Sequence, residues 1–315
     1  MIISIVAITF AKRIITNYVN LLAYMAYRFN FSTLTMNNFQ YILPKHFLTR
    51  LLGKLAYSKI DWLKNALIRL ACKHYGIRLD EAEWQRPKDY PHFNAFFTRA
   101  LQPNARPIDP KPHSIVSPAD GKVSEYGTIR AGALLQAKNR FYSLTDFVGD
   151  QALSAKFENG QFLTVYLSPK DYHRVHMPMD GTLVRSYYLP GALFAVNQQT
   201  TQSIPRVFAR NERLVAHFHH ANGDFLVVFV GALFVAGIET QWEQSTSLLR
   251  PHLDTFTPQS PVHFAKGDEI GRFHFGSTIV LITQKDHAQW HDTLDAIKMG
   301  QSIGNQPLTN TAEAT

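Results

Sequence analysis

Two segments of the chain contain side chains that could move protons. The run Ser-Pro-Ala-Asp-Gly at 117–121 holds Asp120 between a proline and a glycine, and the run Tyr-His-Arg-Val-His at 172–176 holds His173 and His176. An Asp in such a turn often caps its own backbone, and two His at this spacing could share a helix face and bind a metal. No third His or Glu at a recognisable spacing completes a metal site, so we expect none.

A third segment could supply a nucleophile. Gly276 directly precedes Ser277, and the apolar run 279–282 follows. Glycine adopts backbone angles closed to other residues and leaves its carbonyl approachable. With Asp120 and His176, Ser277 has the ingredients of a nucleophilic triad, in which the base activates the hydroxyl and the acid orients the base. A serine hydrolase is therefore one alternative, although the elbow Gly-x-Ser-x-Gly is missing around Ser277.

The histidines at 217, 219 and 220 have a simpler explanation. Alternation along a strand places His217 and His219 on one face. A polar strand face next to a turn accounts for both of them without any chemistry.

Short β-rich runs dominate the chain after residue 120 and must position these groups. They are Lys122–Tyr126, Phe162–Leu167, Thr182–Tyr188, Leu214–Phe218, Phe225–Val230 and Ser277–Thr283. Turn residues separate them, as in Asp180-Gly181 and Asn222-Gly223. The sequence predicts an α+β fold in which basic amphipathic helices at the N-terminus precede a mainly antiparallel β-sandwich or barrel-like core.

The positive charge lies in the first third of the chain. Residues 1–100 carry 14 of the 32 Lys and Arg but only 5 of the 24 Asp and Glu. Leucine-rich helical patterns interrupted by basic residues fill 39–55 and 62–73, which favours docking on an anionic membrane surface. Ordinary surface helices packed on the body are the alternative. A nucleic-acid-binding module is disfavoured, because aromatic-interleaved or Gly-rich basic stretches are missing.

Two classes of protein are excluded by composition. The single cysteine, Cys72, leaves no partner for an intrachain disulfide and no thiolate cluster. The apolar stretches at 1–10 and 14–27 are shorter than the ~18 residues that a spanning helix needs. Basic residues follow the first stretch instead of preceding it, so we expect neither a signal peptide nor a membrane span.

The chain resembles the phosphatidylserine decarboxylase proenzymes of the bacterial and mitochondrial type. The matching blocks, in chain order, are 93–99 with 106–108, 117–121, 168–178, 208–213 and 267–278. One departure concerns the cleavage motif, usually Leu-Gly-Ser-Thr, in which Phe275 replaces the leucine. The pair Gly276-Ser277 is intact, so we expect cleavage to occur. An inactive proenzyme-like protein is the alternative if Phe275 blocks it.

The resemblance implies a cofactor made from the chain itself. Ser277, deprotonated by His176 with Asp120 orienting it, would attack the Gly276 carbonyl, and elimination would leave a covalent pyruvoyl group at position 277. That group would form a Schiff base with phosphatidylserine and accept electrons as carbon dioxide leaves. The family pattern gives His173 the role of proton donor to the resulting carbanion. The product would be phosphatidylethanolamine, in phospholipid biosynthesis.

The resemblance also implies how the chain is divided. Cleavage between 276 and 277 would give chains 1–276 and 277–315, which should stay associated, with a homodimer of processed pairs expected. Residues 1–35 have no recognised counterpart in the family, so we expect a start assigned too early, with the true start at Met36; a real extension is the alternative. A docking region at 36–80, a catalytic domain at 81–300 and a disordered tail at 301–315 would follow. We expect a peripheral protein on the cytoplasmic face of the cell membrane.

Overall fold

The computed structural model describes residues 53–307 apart from 54, 138–139, 233–236, 244–253 and 275–276. All described residues belong to a unit that begins at residue 44. The first predicted amphipathic helix, Phe275, Gly276 and the chain from 308 onward therefore lie wholly or largely outside the described residues. No helix in the described part of the chain is long and apolar enough to cross a membrane.

Six α-helices, most of them short, are present in the described part. They are α1 (Asp61–Tyr75), α2 (Phe93–Phe97), α3 (Leu144–Val148), α4 (Gln151–Ala155), α5 (Gln198–Ser203) and α6 (Val207–Arg210). The longest, α1, ends at Gly76, whose φ of 69° is the left-handed conformation that glycine adopts without strain. A 3₁₀ turn at Pro87–Asp89 lies in the irregular segment between α1 and α2.

The strands give the fold its core. In chain order they are β1 (Ser114–Val116), β2 (Gly121–Thr128), β3 (Ala133–Ala137), β4 (Arg140–Ser143), β5 (Gln161–Leu167), β6 (Arg174–His176), β7 (Gly181–Leu189), β8 (Arg213–His220), β9 (Gly223–Val230), β10 (Ile238–Thr240), β11 (Asp254–Phe256), β12 (Val262–Phe264), β13 (Glu269–Phe273), β14 (Ser277–Thr283), β15 (Gln289–Trp290), β16 (Ala296–Ile297) and β17 (Ser302–Asn305). All six predicted strand runs form strands. Every pairing between these strands is antiparallel, so the predicted mainly antiparallel core is confirmed.

A nine-stranded sheet organises the molecule, with the order β11-β7-β8-β9-β14-β5-β2-β16 and β12 added on β7. Strand β14 is fully buried along its length and pairs with β5 on one side and β9 on the other. Its residues are apolar and β-branched on both faces, which is the pattern of a strand covered on both sides. Ser277, the first residue of β14, is therefore fixed by a central strand.

Different layers cover the two faces of this sheet. On one face the ring of Phe229 packs 5.5 Å from that of Phe273, which places the small sheet β10-β13-β6 against β9. On the other face Arg213 stacks on Phe147, and His217 lies edge-on to Phe157, so α3 and the segment after α4 cover that side. His176 lies on β6 in the first of these layers, whereas Ser277 lies on β14 of the nine-stranded sheet.

Helix α1 buries a lysine and exposes two large apolar side chains. The sequence left open whether its apolar face docks on a membrane or packs on the body. Trp62 and Leu70 are 48% and 57% exposed, while Lys64 is 5% exposed and its Nζ donates to the Tyr90 carbonyl at 2.6 Å. The aliphatic stem of Lys64 can be buried because its ammonium reaches backbone carbonyls. The outward face of α1 is consequently partly apolar.

The ordered chain continues past the predicted start of the tail at 301. Strand β17 pairs with β1 and β15, and Gln306 is 6% exposed. The polar composition of this segment predicted disorder, but backbone hydrogen bonds to β1 hold it in place. The boundary of 301 was wrong, and residues 308–315 lie outside the described part.

Candidate active site

Ser277 is a buried hydroxyl without a partner. Its side chain is fully buried, and its Oγ has no hydrogen-bond partner among the described residues. Leaving a buried polar group unpaired costs about 1–3 kcal/mol, so such groups are uncommon outside functional sites. The position is the one expected for the nucleophile.

His176 is a neutral base with a defined tautomer. Its Nδ1 lies 2.7 Å from the Gly267 carbonyl oxygen, and its Nε2 lies 3.0 Å from the hydroxyl of Tyr172. A carbonyl oxygen only accepts, so Nδ1 carries the proton and Nε2 accepts from Tyr172. Burial lowers the pKa of His176 below its ordinary value. An unprotonated Nε2 is what a general base requires, although in this structure its lone pair is occupied by the Tyr172 hydroxyl.

Asp120 has partners other than His176. Arg106 donates from Nε to Oδ1 at 2.9 Å and from Nη2 to Oδ2 at 2.6 Å, and the backbone N–H of Met299 donates to Oδ1 at 2.9 Å. The same guanidinium also reaches Glu81 at 2.9 Å. This fork holds the carboxylate rigidly.

The segments of Asp120 and His176 nevertheless adjoin each other. The backbone N–H of His176 donates to the Pro118 carbonyl at 2.8 Å. Among the described residues, no hydrogen bond directly joins the side chains of Asp120, His176 and Ser277. The structure therefore brings the segments of Asp120 and His176 together, with their side chains bound to other partners, and shows no hydrogen bond of the Ser277 hydroxyl to either residue.

His173 is a second buried imidazole next to this region. Its Nδ1 lies 2.8 Å from the Asp171 carbonyl oxygen, and its ring lies 4.1 Å from that of Phe97. Nδ1 therefore carries the proton, and Nε2 has no partner in the described part of the chain. Burial, assisted by the charge of Arg99, lowers the pKa of His173 to about 3. The imidazole is neutral, and its free nitrogen is an acceptor.

Arg99 supplies a buried positive charge beside His173. Its side chain is 6% exposed and donates to the carbonyls of Lys170 and Asp171 at 2.9 and 3.3 Å. No carboxylate in the described residues forms an ion pair with it. A buried guanidinium held by carbonyls alone keeps the capacity to attract an anion.

Tyr172, Arg99 and Arg106 lie in motifs that carry the family resemblance, but the sequence predicted no role for these residues. Arg99 contacts carbonyls about 70 residues along the chain and Arg106 contacts Asp120 across an irregular segment, so no local spacing could reveal these contacts. Tyr172 lies only four residues from His176, but the spacing alone does not show that its hydroxyl reaches Nε2. The residue types gave a weaker signal, because Arg and Tyr stood inside the same blocks as the predicted acid and base.

The remaining predicted histidines behave as the simpler explanation expected. His217 and His219 both contact Asp224, at 2.9 and 2.8 Å, on the hairpin of β8 and β9. No group of three or more His, Cys, Asp or Glu within the described ranges could hold a metal ion.

Comparisons with known proteins give this site its class. The model of the family described as phosphatidylserine decarboxylase matches residues 93–305, and a second family model, described as PSD, matches 38–76. A phosphatidylserine decarboxylase proenzyme of Pseudomonas fluorescens is 46% identical over 273 residues, which cover 84% of this chain and 95% of the relative. Proenzymes with the same name from Azotobacter vinelandii and Stutzerimonas stutzeri are 46% and 43% identical, over 84% and 87% of this chain and 96% and 95% of theirs.

The names of these relatives describe decarboxylases made as proenzymes. The chain belongs to the phosphatidylserine decarboxylase family.

Proposed function

We propose that this protein decarboxylates phosphatidylserine to phosphatidylethanolamine after cutting itself between Gly276 and Ser277. The observation that carries the proposal is the Ser277 hydroxyl, which is fully buried, unpartnered in the described part and fixed at the start of a central strand. Family membership supports the reaction class. The serine hydrolase alternative gains no support from the relatives described above.

Maturation would use the groups around Ser277. The Nε2 lone pair of His176 would take the Ser277 proton once Tyr172 turns away, and the serine oxygen would attack the Gly276 carbonyl, replacing the C–N bond by an ester C–O bond. Elimination would remove the Cα proton of residue 277 to a base, form a double bond between Cα and Cβ, and break the bond between Cβ and the ester oxygen, releasing the new carboxyl terminus of Gly276. Water would then replace the nitrogen as ammonia leaves, giving a pyruvoyl group. Asp120, held by Arg106, would keep the His176 segment in place.

The residues present fit a pyruvoyl group at position 277. Ser277 is fully buried at the start of a buried strand, and burial lowers the pKa of His173 and of His176, so a small uncharged ketone is compatible with this position. When formed, this group would supply an electrophilic carbonyl that binds the substrate amine and accepts electrons as carbon dioxide leaves. Exclusion of water from the site would favour decarboxylation, because the substrate carboxylate loses its hydration when it enters.

His173 and Arg99 would act on the substrate. Arg99 would draw the anionic substrate towards the site. His173, whose free Nε2 faces no partner in the described residues, would hold the proton that replaces the carboxyl group. Because the resting imidazole is neutral, it would take up this proton only after the substrate carboxylate arrives and raises its pKa.

Helix α1 would place this site at a membrane. Its outward face combines Trp62 and Leu70 with Arg69 and Lys73, an apolar strip flanked by positive charge. Such a face suits the headgroup plane of an anionic bilayer. A peripheral position on the cytoplasmic face of the cell membrane and a homodimer of processed pairs, 1–276 with 277–315, complete the proposal.

Intact-mass spectrometry of the denatured protein tests it. The wild-type chain should give two fragments, the smaller beginning at position 277 with the mass of pyruvoyl in place of serine. Ser277→Ala should give one uncut chain without decarboxylase activity, whereas Ser124→Ala on β2 should still give two. A single wild-type chain that reacts at Ser277 with a fluorophosphonate probe would favour the hydrolase instead, and two chains from Ser277→Ala would refute the proposal.

A further inference from the structure

Glu212 is a buried carboxyl with no task in the function proposed above. Its side chain is 1% exposed, and its Oε2 accepts a hydrogen bond from the Tyr188 hydroxyl at 2.5 Å. Its other oxygen, Oε1, has no partner among the described residues. A carboxyl with one unpaired oxygen is expensive to bury, so its position calls for an explanation.

The sheet register places Glu212 in line with Ser277. Arg213 on β8 and Thr278 on β14 both pair with Val230 on β9. The next row extends this pairing by one residue: Glu212 precedes Arg213, Gly231 follows Val230, and Ser277 precedes Thr278. In this row the Gly231 N–H donates to the Glu212 carbonyl at 2.8 Å. Residues in one row across antiparallel strands project to the same face. Glu212 and Ser277 thus share a face.

Gly231 leaves an opening between them. A Cβ built on Gly231 would lie 2.9 Å from Glu212 Cγ and 3.2 Å from Oε1, so the carboxyl lies over this glycine. Neighbouring strands are about 4.8 Å apart. The free oxygen of Glu212 therefore lies about one strand spacing from the row position of Ser277, with no side chain of the middle strand between them.

The charged neighbours of Glu212 are few. From β7, Tyr188 donates its hydroxyl; Arg213 points to the opposite face, where it binds the carbonyls of Phe147 and Asp146. Arg210 stacks on the ring of Phe194 at 4.7 Å. Burial raises the pKa of Glu212 to about 7, partly offset by the hydrogen bond from Tyr188. A carboxyl in this state both takes and releases protons at neutral pH.

We propose that Glu212 carries the proton of the substrate amine at position 277. This inference rests on the proposed function. The Glu212 carboxylate takes one proton from the substrate's ammonium group, and the free amine then attacks the ketone carbon. A C–N bond forms as the C–O π bond opens, and a proton moves from nitrogen to that oxygen. Glu212 returns its proton to the resulting hydroxyl, which leaves as water while the nitrogen lone pair forms the C=N bond. The carboxylate is restored.

The experiment isolates the amine step from decarboxylation. Processed protein is mixed with methylamine and cyanoborohydride, which reduces the C=N bond, and the mass of the small chain is followed with time at pH 6 to 9. Methylamine has no carboxylate, so trapping reports amine addition alone. Glu212→Gln keeps the shape of the side chain but cannot carry the proton. Glu125→Gln is the matched control. Glu125 is a half-buried residue on β2, and burial raises its pKa as it does that of Glu212.

The mass spectrum of the protein before methylamine is added distinguishes failure of the proposed function from failure of the role of Glu212. A wild-type protein without a pyruvoyl mass refutes the proposed function itself. If the pyruvoyl forms, wild type and Glu125→Gln should show trapping that rises to about pH 7 and then levels off. Glu212→Gln should be about 10²-fold slower at pH 7, and its rate should keep rising tenfold per pH unit, because it depends on free methylamine. A processed Glu212→Gln protein with the wild-type rate and profile overturns the role of Glu212.

A second variant decides the matter if Glu212→Gln does not mature. Tyr188→Phe removes the hydrogen bond that lowers the pKa of Glu212. The pH at which trapping levels off should therefore move upward, while the pyruvoyl mass is retained. An unchanged levelling point in processed Tyr188→Phe would contradict the inference.

Discussion

Individual residues in the site are kept neutral by burial. Both imidazoles donate Nδ1–H to a backbone carbonyl, of Asp171 for His173 and of Gly267 for His176, so each presents an unprotonated Nε2. Because its tautomer is fixed in this way, each imidazole can accept a proton at Nε2 but has no proton there to donate beforehand. If His173 has the proposed role, it would take up its proton only after the substrate carboxylate arrives.

The buried state of His173 predicts a dependence of stability on acid. Its folded pKa of about 3 lies below the ordinary 6.5, so between these values the unfolded chain binds one more proton. The contribution of neutral His173 to the free energy of unfolding is complete above pH 6.5. It is lost as the pH falls below that value, at about 1.4 kcal/mol per pH unit. His173→Asn should show a pH slope that is shallower by this amount.

Urea unfolding of uncleaved Ser277→Ala protein, with and without His173→Asn, measures the slope between pH 7 and 5. His263→Asn on β12 is the control, because that side chain is exposed. Equal slopes with and without His173 would show that the imidazole is not held neutral by the fold.

The fork between Arg106 and Asp120 predicts a large effect of a single substitution. Both side chains are under a tenth exposed, and Arg106→Met would leave a buried carboxylate without its cation, which costs about 3–5 kcal/mol. Self-cleavage should slow as well, because the Asp120 segment contacts the His176 backbone.

Thermal unfolding and the fraction of cut chain measure both effects. Arg78→Met provides the comparison, because Arg78 forms an equally close pair with Asp80 on the exposed surface and should change neither quantity. If Arg106→Met behaved like Arg78→Met, the fork would have no positioning role.

At the scale of elements, periodicity located α1 but not its orientation. An apolar strip and a basic strip both recur every three to four residues, and either can face the body when a lysine finds carbonyl partners, as Lys64 does. The strands were predicted more completely, because alternation and continuous apolar runs reflect burial directly. The pairing of β17 with β1 was not predictable, because two short segments nearly 200 residues apart carry no local signal of their contact.

The outward face of α1 predicts how the protein binds membranes. Trp62→Ser with Leu70→Ser removes two exposed apolar side chains, each contributing about 1.5–3 kcal/mol when buried in lipid. Binding to vesicles of equal parts phosphatidylglycerol and phosphatidylcholine should weaken at least tenfold.

Co-sedimentation of the vesicles with purified protein measures this binding. Phe141→Ser is the control, because Phe141 is 60% exposed but lies on β4, away from α1. Equal loss in both proteins, or no loss in the α1 variant, would contradict docking through this face.

For the whole molecule, the sequence predicted the fold class and the triad candidates, and the structure adds what surrounds them. Asp120, His176 and Ser277 stood in recognisable motifs. The contact of Met299 with Asp120 was not predictable, because it joins residues 179 positions apart. Arg106 and Tyr172 are closer in sequence to Asp120 and His176, but their residue types do not show which atoms they contact in the fold. Whether the triad performs the cleavage remains a prediction, tested by the Ser277 variant.

The position of β14 predicts the fate of the two chains after cleavage. The 39 residues from 277 to 315 begin with a strand that is hydrogen-bonded on both sides, to β5 and β9, and later contribute β16 and β17, which pair with β2 and β1 of the large chain. Cutting the peptide before Ser277 removes none of these pairings. β14 is also buried on both faces, and separating the two fragments would expose its apolar side chains to water, which is unfavourable.

The processed protein should therefore elute from a native sizing column as one species that contains both fragments, and separate only under denaturing conditions. Ile279→Ala and Leu281→Ala together would remove buried volume on one face of β14, at about 2–5 kcal/mol each, and should release the small fragment at a lower urea concentration than wild type. The matched pair Gln289→Ala and Ala296→Ser changes exposed positions of the same fragment and should not. Spontaneous release of the wild-type fragment in native buffer would mean that β14 is held by the peptide bond and not by the sheet.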